Sequence, residues 1–345
     1  MDLHLIDPLL DSRWDAFVAA HPRATVFHQR GWLDALARTY GYQPFVLTST
    51  PAGRALSDGV VLCRVSSWVT GNRAVSLPFS DHCEPLADDD GLVVEFANSL
   101  RSECDRERWR YVELRPLSWS GGQECPLPRS RSYWFHNLDL TPSLEQIYKG
   151  LHKDCIQRRI RRAERERLAY ETGRSERLIA ELYDLLLITR RRHRLVPQPR
   201  CWFQNLIQCM GDDVQIRVAR KRETPIAAIL ALRHQRSLVY KYGCSNEKFH
   251  HLAAMPFLFW RLIEESKASG LEKIDFGRSD IDDTGLTTFK DRLGTSKRLL
   301  TYLRYPQAEN REPAGWRVPA IGHAFPFLPN AALPALGRLL YRHMG

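Results

Sequence analysis

Apolar residues recur along the chain at two spacings, one typical of helices and one typical of strands, and these spacings alternate in the same order twice. Within 252–269, Leu252, Met255, Leu258 and Leu262 lie three or four positions apart, which predicts an amphipathic helix. For the first half we predict helices near 11–20 and 28–39, strands near 43–48, 58–65 and 73–77, a helix near 90–105, and strands near 109–115 and 132–138. For the second half we predict helices near 175–193 and 200–210, strands near 214–220, 225–233 and 237–243, a helix near 252–269, and strands at 271–276 and 298–304.

Short sequence similarities indicate that this order arose by duplication. Segments of the first half align with segments of the second half at slowly decreasing separations: 30–36 with 200–206, 59–62 with 227–230, and 111–114 with 273–276. We therefore predict an α+β fold built from two copies of one domain, each a mixed, mostly antiparallel sheet flanked by helices. The predicted ranges are 1–140 and 141–308, followed by an apolar tail at 309–345.

The segment 141–168 joins the two predicted domains and concentrates positive charge. Thr141 as N-cap and Pro142 at the first helical position predict that a helix begins there. Arginines then crowd ten positions: Arg158, Arg159, Arg161, Arg162, Arg165 and Arg167. One interpretation is a solvated helix face with neighbouring glutamates as partners. The other is a site at which Arg158, Arg161, Arg162 and Arg165 bind an anionic partner, which would be RNA, a pyrophosphate or an acidic membrane surface.

Composition narrows the functional classes. The 345 residues are 43% hydrophobic and 26% charged, with a formal net charge of +10, which is typical of a basic globular protein. No apolar run reaches the ~18 residues of a membrane span. Asp2 and Asp7 stand where a signal peptide has basic residues, so we predict a cytoplasmic protein. The eight cysteines form no CxxC pair or Cys/His cluster, and we predict no metal site and no tightly bound cofactor.

The segment 271–302 is the strongest candidate for chemistry. A short apolar strand runs into a polar loop that contains Arg278, and a brief helical turn then carries Phe289 and Lys290. A cation held beyond the C-terminal end of a strand suits the stabilisation of negative charge on a phosphate or on an acyl-transfer intermediate.

This segment resembles the C-terminal part of the Fem-type transferases, a branch of the GNAT-like acyltransferase superfamily with a Phe-Lys pair at this place. The resemblance implies two tandem GNAT-like domains and transfer of an aminoacyl or acyl group onto an amine. It implies that Lys290 stabilises the oxyanion or contacts the tRNA 3′ end, and that Phe289 belongs to the core or to a wall against the donor's adenine. Arg278 is then either a salt-bridge partner of a nearby aspartate or a phosphate clamp. Tyr242 is either a core tyrosine or a hydroxyl in the transfer cleft.

The first half contains a segment similar to the family's acceptor loop, at 76–82. The resemblance implies that Ser80 belongs to this loop, that Asp81 orients an acceptor amine and that His82 moves a proton. Gln29 and Trp32 match an early aromatic-Gln-x-x-Trp segment that lines the acceptor side. The lysine that some family members carry after that tryptophan is missing here, which argues against a standard peptidoglycan-precursor acceptor.

The sequence leaves the donor and the acceptor open. The region around Gly243 lacks the Arg-x-x-Gly-x-Gly/Ala loop of acetyl-CoA-binding domains, which disfavours classical CoA binding. The expected co-substrate is an aminoacyl-tRNA, with acyl-CoA as the alternative. The expected acceptor is a small molecule or a lipid-linked compound of the cell envelope, an exopolysaccharide intermediate or a peptide.

Two alternatives concern partners. The alternative to an enzyme is a non-catalytic, basic RNA-binding protein. DNA is not an expected partner. The tail near Leu336, Leu339 and Leu340 either folds back on the first domain or makes peripheral contact with the inner face of the membrane.

Overall fold

The computed structural model describes residues 2–118, 125–307 and 332–345. They form two compact units. The first unit contains residues 2–118, 125–133, 300–307 and 338–345, and the second unit contains 134–299 and 332–337. These ranges differ from the predicted domain boundaries, because 134–140 lie in the second unit and 300–307 lie in the first.

The first unit is a sheet with helices between its strands. Its elements are β1 (His4–Ile6), α1 (Ser12–Ala20), α2 (Arg30–Tyr40), β2 (Gln43–Thr48), β3 (Val60–Val65), β4 (Arg73–Val75), α3 (Asp90–Arg106) and β5 (Tyr111–Leu114). β1 to β4 pair antiparallel in chain order, and β4 and β5 are parallel because α3 connects them. The other edge of β5 pairs antiparallel with Leu303–Tyr305, the end of β12.

The second unit has the same plan. Its elements are β6 (Arg129–Asp139, beginning in the first unit), α4 (Leu144–Gly150), α5 (Arg158–Arg165), β7 (Ala169–Gly173), α6 (Glu176–Arg192), α7 (Arg200–Met210), β8 (Val214–Lys221), β9 (Thr224–His234), β10 (Ser237–Ser245), α8 (Ala254–Ala268), β11 (Lys273–Asp280), α9 (Thr284–Arg292) and β12 (Ser296–Tyr305). The order of its strands is β6-β11-β10-β9-β8-β7. β7 to β10 pair antiparallel, and β10 and β11 are parallel because α8 connects them.

Each unit has its own apolar core. In the first unit, Phe96 of α3 packs with Leu62 and Val112 of the sheet. In the second unit, Leu258 and Leu262 of α8 pack with strand residues that include Ile229 and Ile274. The helical spacing in 252–269 therefore corresponds to one buried face. The predicted fold class, with helices flanking a mixed, mostly antiparallel sheet, is confirmed, but the strands belong to one sheet and not to two.

The linking segment differs from the prediction. Ser143, not Thr141, caps the helix: Ser143 Oγ accepts from Gln146 N at 3.2 Å, and Gln146 Oε1 accepts from Ser143 N at 2.9 Å. Thr141 is instead bonded to the Asp139 carboxylate through its N–H and its hydroxyl, both at 2.9 Å. The helix also ends at Gly150, and Leu151 is extended, so the arginines lie on a separate helix, α5, after a π-helical turn at Lys153–Gln157.

The last described helix, α10 (Ala332–Tyr341), begins in the second unit and ends in the first. Its final residue is bonded to the first unit: Tyr42 Oη donates to the Tyr341 carbonyl at 2.7 Å. Among the described residues, no helix has the length and apolar character that crossing a membrane requires.

Candidate functional site: a basic cavity in the second unit

A cavity of about 470 Å³ opens in the second unit between the end of β10 and the N-terminus of α8. Gly243, Cys244 and Ser245 line it from β10, residues 253–256 line it from the start of α8, and Phe289 and Arg292 line it from α9. The volume falls within the usual range for small-molecule and cofactor sites.

The part of β10 that lines the cavity lies beyond its pairing with the parallel strand β11. β10 pairs with β11 only through Ser237–Val239 and Lys273–Asp275, although both strands continue. A bulge in β10 between Tyr240 and Tyr242 shifts its register against β9 at the point where the pairing with β11 stops. Gly243 follows the bulge, and a Cβ there would collide with the Tyr240 ring. Only glycine fits this position, which lines the cavity.

Basic side chains surround the cavity. Arg159 of α5, Arg192 of α6 and Arg292 of α9 all line it, together with His193 and His250. These groups come from separate elements that contribute to one opening. The arrangement favours an anionic ligand with several negatively charged oxygens.

The two histidines that line the cavity have lowered pKa values, and this positive charge is one of the causes. Burial, and then the Arg192 guanidinium, lower the pKa of His193 and of His250 below the usual value. Arg192 Nη1 lies 3.3 Å from His250 Nε2, and Ser245 Oγ lies 3.0 Å from the same nitrogen. Both rings are therefore mainly neutral at pH 7, and a bound anion would favour their protonated forms.

The N-terminus of α8 adds backbone donors to the same cavity. Ala253 precedes the helix in the left-handed conformation (φ 61°), and no side chain caps the first turn. Ala253, Ala254 and Met255 line the cavity. The first N–H groups of a helix lack partners within the helix and lie at the positive end of its dipole, so they supplement the arginines in binding an anion.

Lys290 is buried, with 3% of its surface exposed. Its Nζ donates to the carbonyls of Gly277 at 3.2 Å and Arg278 at 2.9 Å. The ammonium is thus held at the end of β11, whereas Phe289 and Arg292, three positions apart on α9, face the cavity. Lys290 is not one of the residues that line the cavity.

The other second-unit candidates lie in different environments. Phe289 lines the cavity and packs against Phe259 with ring centres 5.6 Å apart. Arg278 is half-buried, and its carbonyl is one of the Lys290 acceptors. Tyr242 is in the core, where its hydroxyl accepts from Trp202 Nε1 at 2.9 Å and from Gln198 Nε2 at 3.2 Å. These contacts match the core alternative for Tyr242.

Two first-unit candidates, Asp81 and Ser80, are set in a loop held by hydrogen bonds. Ser80 Oγ donates to the Leu77 carbonyl at 2.9 Å and accepts from Leu77 N at 3.2 Å. Arg115 Nη1 donates to the carbonyls of Leu77 and Ser80 at 2.7 and 3.0 Å. The Asp81 carbonyl accepts from Tyr302 Oη at 2.6 Å. The loop conformation is therefore fixed by partners on other strands.

Two further candidates meet at one aromatic ring. The buried His82 contacts Phe27 edge-on with ring centres 5.4 Å apart, and the buried Trp32 contacts the same ring at 5.0 Å. Gln29 is half-buried and precedes α2, where its carbonyl accepts from Trp32 N at 3.0 Å. The structure thus brings His82 and Trp32 together around Phe27.

The predicted basic segment is divided between two surfaces. Arg158, Arg161 and Arg165 lie on one exposed face of α5 and line a shallow depression together with Glu164. Arg158 is also paired with Asp154 at 3.1 Å. Arg162 is exposed, and Arg159 lines the cavity. One helix therefore presents arginines both to solvent and to the cavity.

The sequence analysis did not identify most of the residues that line the cavity. Arg159 lies in the arginine cluster at 158–167 and Arg192 in a second run of arginines at 190–194, but nothing in the sequence separates them from their solvent-facing neighbours. His193, His250 and Arg292 carry no motif at all. Only the helix pattern of α5, in which Ile160 and Ala163 are the buried positions, could have indicated which arginines face inward.

No group of three or more His, Cys, Asp or Glu side chains is placed to hold a metal ion within 2–118, 125–307 and 332–345. All eight cysteines are free thiols. Among them, Cys155 and Cys244 line the cavity, and burial raises the pKa of the Cys244 thiol to about 12. Cys244 is therefore a neutral part of the cavity wall.

Comparison with known proteins gives a family model for one part of the chain and structural relatives for nearly all of it. Residues 152–291 match the model of the acetyltransferase (GNAT) domain. FemX is similar in fold, with a TM-score of 0.67 and 13% identity over 88% of this chain and 97% of FemX. No curated protein sequence matches.

Two other solved structures share the fold. The C-terminal domain assigned to a lysylphosphatidylglycerol synthetase from Agrobacterium fabrum has a TM-score of 0.57 and 14% identity over 94% of this chain and 95% of that domain. A tandem GNAT protein from the clavulanic acid biosynthesis pathway has a TM-score of 0.53 and 10% identity over 88% of this chain and 98% of that protein. The second unit thus contains an acetyltransferase (GNAT) domain, and the predicted resemblance to the Fem-type branch of the GNAT-like transferases is confirmed at the level of the fold.

Proposed function

We propose that the protein transfers an acyl or aminoacyl group from a phosphate-bearing donor that binds in the cavity of the second unit. The observation that carries this proposal is the convergence of Arg159, Arg192, Arg292 and the N-terminus of α8 on one opening. Phosphate oxygens are the ligands that such a set of guanidinium and backbone N–H groups binds best.

Acyl-CoA and the 3′ end of an aminoacyl-tRNA both meet this requirement. Each carries phosphate groups, an adenine and an activated acyl group. The acetyltransferase model for residues 152–291 supports acyl-CoA. The similarity to the lysylphosphatidylglycerol synthetase domain supports an aminoacyl donor and a lipid-linked acceptor of the cell envelope. Phe289, which lines the cavity, is the proposed apolar contact of the donor.

The proposed reaction is the attack of an acceptor amine on the carbonyl of the donor. A tetrahedral intermediate forms with negative charge on oxygen, and it collapses as the thiol or the ribose hydroxyl leaves. Lys290, which does not itself line the cavity but follows the cavity-lining Phe289 on α9, remains our proposal for stabilising that charge. Asp81 and His82 remain our proposal for binding the acceptor and removing its proton.

Donor binding tests this proposal through two arginines on one helix. Arg159→Gln removes a cavity charge, whereas Arg165→Gln removes an equally exposed charge on the other face of α5. Titration calorimetry with acetyl-CoA, and thermal-shift assays with charged tRNA, report binding. We expect Arg159→Gln to weaken binding of the true donor by ~10-fold or more, the value of a lost charge-assisted hydrogen bond, and Arg165→Gln to change it by less than about twofold.

The opposite pattern would show that the cavity is not the donor-binding site. If tRNA binding depends on Arg158, Arg161 and Arg165 but not on Arg159, the exposed face of α5 binds RNA. Loss of binding should then follow ionic strength steeply, and no acyl product should form with either donor. That result would favour the non-catalytic RNA-binding alternative.

A further inference from the structure

The first unit exposes large apolar side chains on two segments that are hydrogen-bonded to each other. In the β3–β4 loop, Trp68 and Val69 are 89% and 58% exposed. In the C-terminal segment 338–345, Leu339 is 59% exposed. A tryptophan with most of its surface in water is costly in a folded domain, because the ring has a large apolar area that burial would remove from water.

Hydrogen bonds hold these two segments together. Ser67 Oγ lies 2.9 Å from His343 Nδ1, and the His343 carbonyl accepts from Thr70 Oγ1 and Arg73 Nη2, both at 2.8 Å. Arg73 Nε also donates to the Gly345 carbonyl at 2.6 Å. The buried Arg73 thus bonds the end of the chain to the base of the loop. The loop that carries Trp68 is fixed in this position.

The Trp68 ring is oriented by the same contact. It meets the His343 ring edge-on, with ring centres 5.7 Å apart, and still leaves most of its area exposed. We refer to Trp68, Val69 and Leu339, with the arginines beside them, as the Trp68 surface.

The charged residues of the Trp68 surface are basic. Arg338 and Arg342 are exposed on the C-terminal segment, and Arg110 Nη1 donates to the Thr70 carbonyl at 3.1 Å. Neither the loop 66–72 nor the described residues 333–345 contain an aspartate or a glutamate. The surface therefore combines projecting apolar side chains with a positive rim.

We propose that the Trp68 surface binds an anionic phospholipid bilayer. Tryptophan favours the boundary between headgroups and acyl chains, because its ring is apolar and its N–H can remain hydrated. Arginines next to it gain about 1 kcal/mol each near an anionic leaflet. Shallow insertion of Trp68 and Val69 from a fixed loop then anchors the first unit without a membrane-spanning helix. This proposal does not depend on the donor cavity.

Co-sedimentation with vesicles tests the proposal in the full chain. We expect the wild type to bind vesicles of equal phosphatidylglycerol and phosphatidylcholine, and to bind pure phosphatidylcholine far more weakly. Trp68→Ala should weaken binding to the anionic vesicles by ~10-fold or more, since it removes a large apolar contact. Arg342→Gln should weaken it by about fivefold, the equivalent of one arginine near the surface.

Leu10→Ala is the matched control, because Leu10 is an equally prominent apolar side chain of the same unit, 83% exposed. It should bind vesicles like the wild type. Trp68→Phe should retain part of the binding but lose the quenching of tryptophan fluorescence that bromine-labelled acyl chains cause. Circular dichroism of each variant confirms that it is folded.

Three results would overturn the proposal. The first is wild-type protein that does not bind anionic vesicles at low salt. The second is a Trp68→Ala variant that binds vesicles as tightly as Leu10→Ala. The third is a wild type that dimerises in light scattering and becomes monomeric with Trp68→Ala while vesicle binding is unchanged, which would assign the surface to a second copy of the chain.

Discussion

Lys290 illustrates how a single buried cation can be prepared for chemistry. Two main-chain carbonyls accept from its ammonium group and fix its position. Carbonyl groups orient a cation without cancelling its charge, so the group can stabilise an anion that forms nearby. Its neighbour Phe289 belongs to the cavity wall, so a cavity-lining ring and a buried cation are adjacent residues of one short helix.

Replacing this cation should affect the rate more than the fold. We expect Lys290→Met, which keeps the side-chain length, to lower turnover on the true substrate by ~10²–10³, in the range of a lost oxyanion donor. Steady-state kinetics measure the rate, and thermal unfolding shows whether the variant is intact. Lys297→Met is the control, because Lys297 is a more exposed lysine of the same unit that pairs with Asp291 at 3.0 Å. Normal turnover by an intact Lys290→Met would reject the assignment.

At the residue scale, sequence reasoning could narrow the alternatives where a residue type has few structural roles. A tyrosine such as Tyr242 is commonly a core residue, and its bonds to Trp202 and Gln198 match that interpretation. It failed for Arg159 and Arg292, since an arginine on a helix has the same sequence signal whether it faces water or a cavity. Their role depends on which helix face packs inward, and that is decided by distant residues.

At the element scale, α8 connects the cavity to the core. Its apolar face packs on the sheet, while its N-terminus and the histidine-containing turn before it border the opening. Because burial and Arg192 lower the pKa of His193 and His250, both rings are mainly neutral in the empty cavity near neutral pH. Binding an anion raises both pKa values again, which links donor affinity to proton uptake.

Donor affinity should therefore increase as the pH falls. Between pH 7.5 and 5.5 we expect the Kd of a phosphate-bearing donor to decrease, by at most ~10-fold per pH unit for each proton taken up. Titration calorimetry in buffers of different ionisation enthalpy measures the number of protons taken up on binding. His250→Asn should reduce both the pH dependence and the proton uptake. A pH-independent Kd in the wild type would contradict the electrostatic role of these histidines.

Element boundaries could be predicted where the apolar spacing was long and regular. α6, α7, α8 and β8 to β10 lie close to the predicted positions. The short strands β1 and β7 were missed, because three to five half-buried residues carry little pattern. The start of the linking helix was placed two residues too early because Thr141-Pro142 is a common capping pair, whereas Ser143 caps the helix.

At the scale of the whole molecule, histidines with lowered pKa values make the free energy of unfolding depend on pH. Burial lowers the pKa of His21, His136, His193, His234, His250 and His343. The pKa of His136 is lowered to about 4 by burial first, with further contributions from Lys290 and Lys297. The unfolded chain takes up protons near the usual value of ~6.5, before the folded chain does, so acid favours unfolding.

The free energy of unfolding should thus decrease as the pH falls below ~6.5. His136 alone accounts for about 3 kcal/mol by pH 4, since its pKa is lowered by roughly 2.5 units and each unit corresponds to ~1.4 kcal/mol. Urea unfolding at pH 7 and pH 5 measures the loss. His136→Gln should lose about 2 kcal/mol less than the wild type over this interval. His251→Gln, at an exposed histidine, should behave like the wild type; equal losses in all three proteins would contradict the assignment to His136.

The repeated plan of the molecule could be predicted, but its strand partners could not. Element order within each half is a local property of the sequence. The antiparallel pairing of Leu303–Tyr305 with β5 joins residues far apart in the chain, and no local pattern specifies such a partner. Nor does a local pattern specify where the pairing of β10 with β11 stops or where the register of β10 against β9 shifts, although Gly243 lies next to that shift.

The late position of those β5 partners has a consequence for biosynthesis. Val112 and Leu114 are buried in the first unit next to residues that the ribosome adds some 190 positions later. The His343 and Gly345 carbonyls, which accept hydrogen bonds from Arg73, are added later still. The N-terminal half therefore emerges with an open strand edge at β5, and Arg73 then has only its nearby partners Thr70 and Gly71. Nascent chains should therefore expose the edge of β5 until Leu303–Tyr305 have been synthesised and can pair with it, and chaperones that shield such edges should bind in that interval.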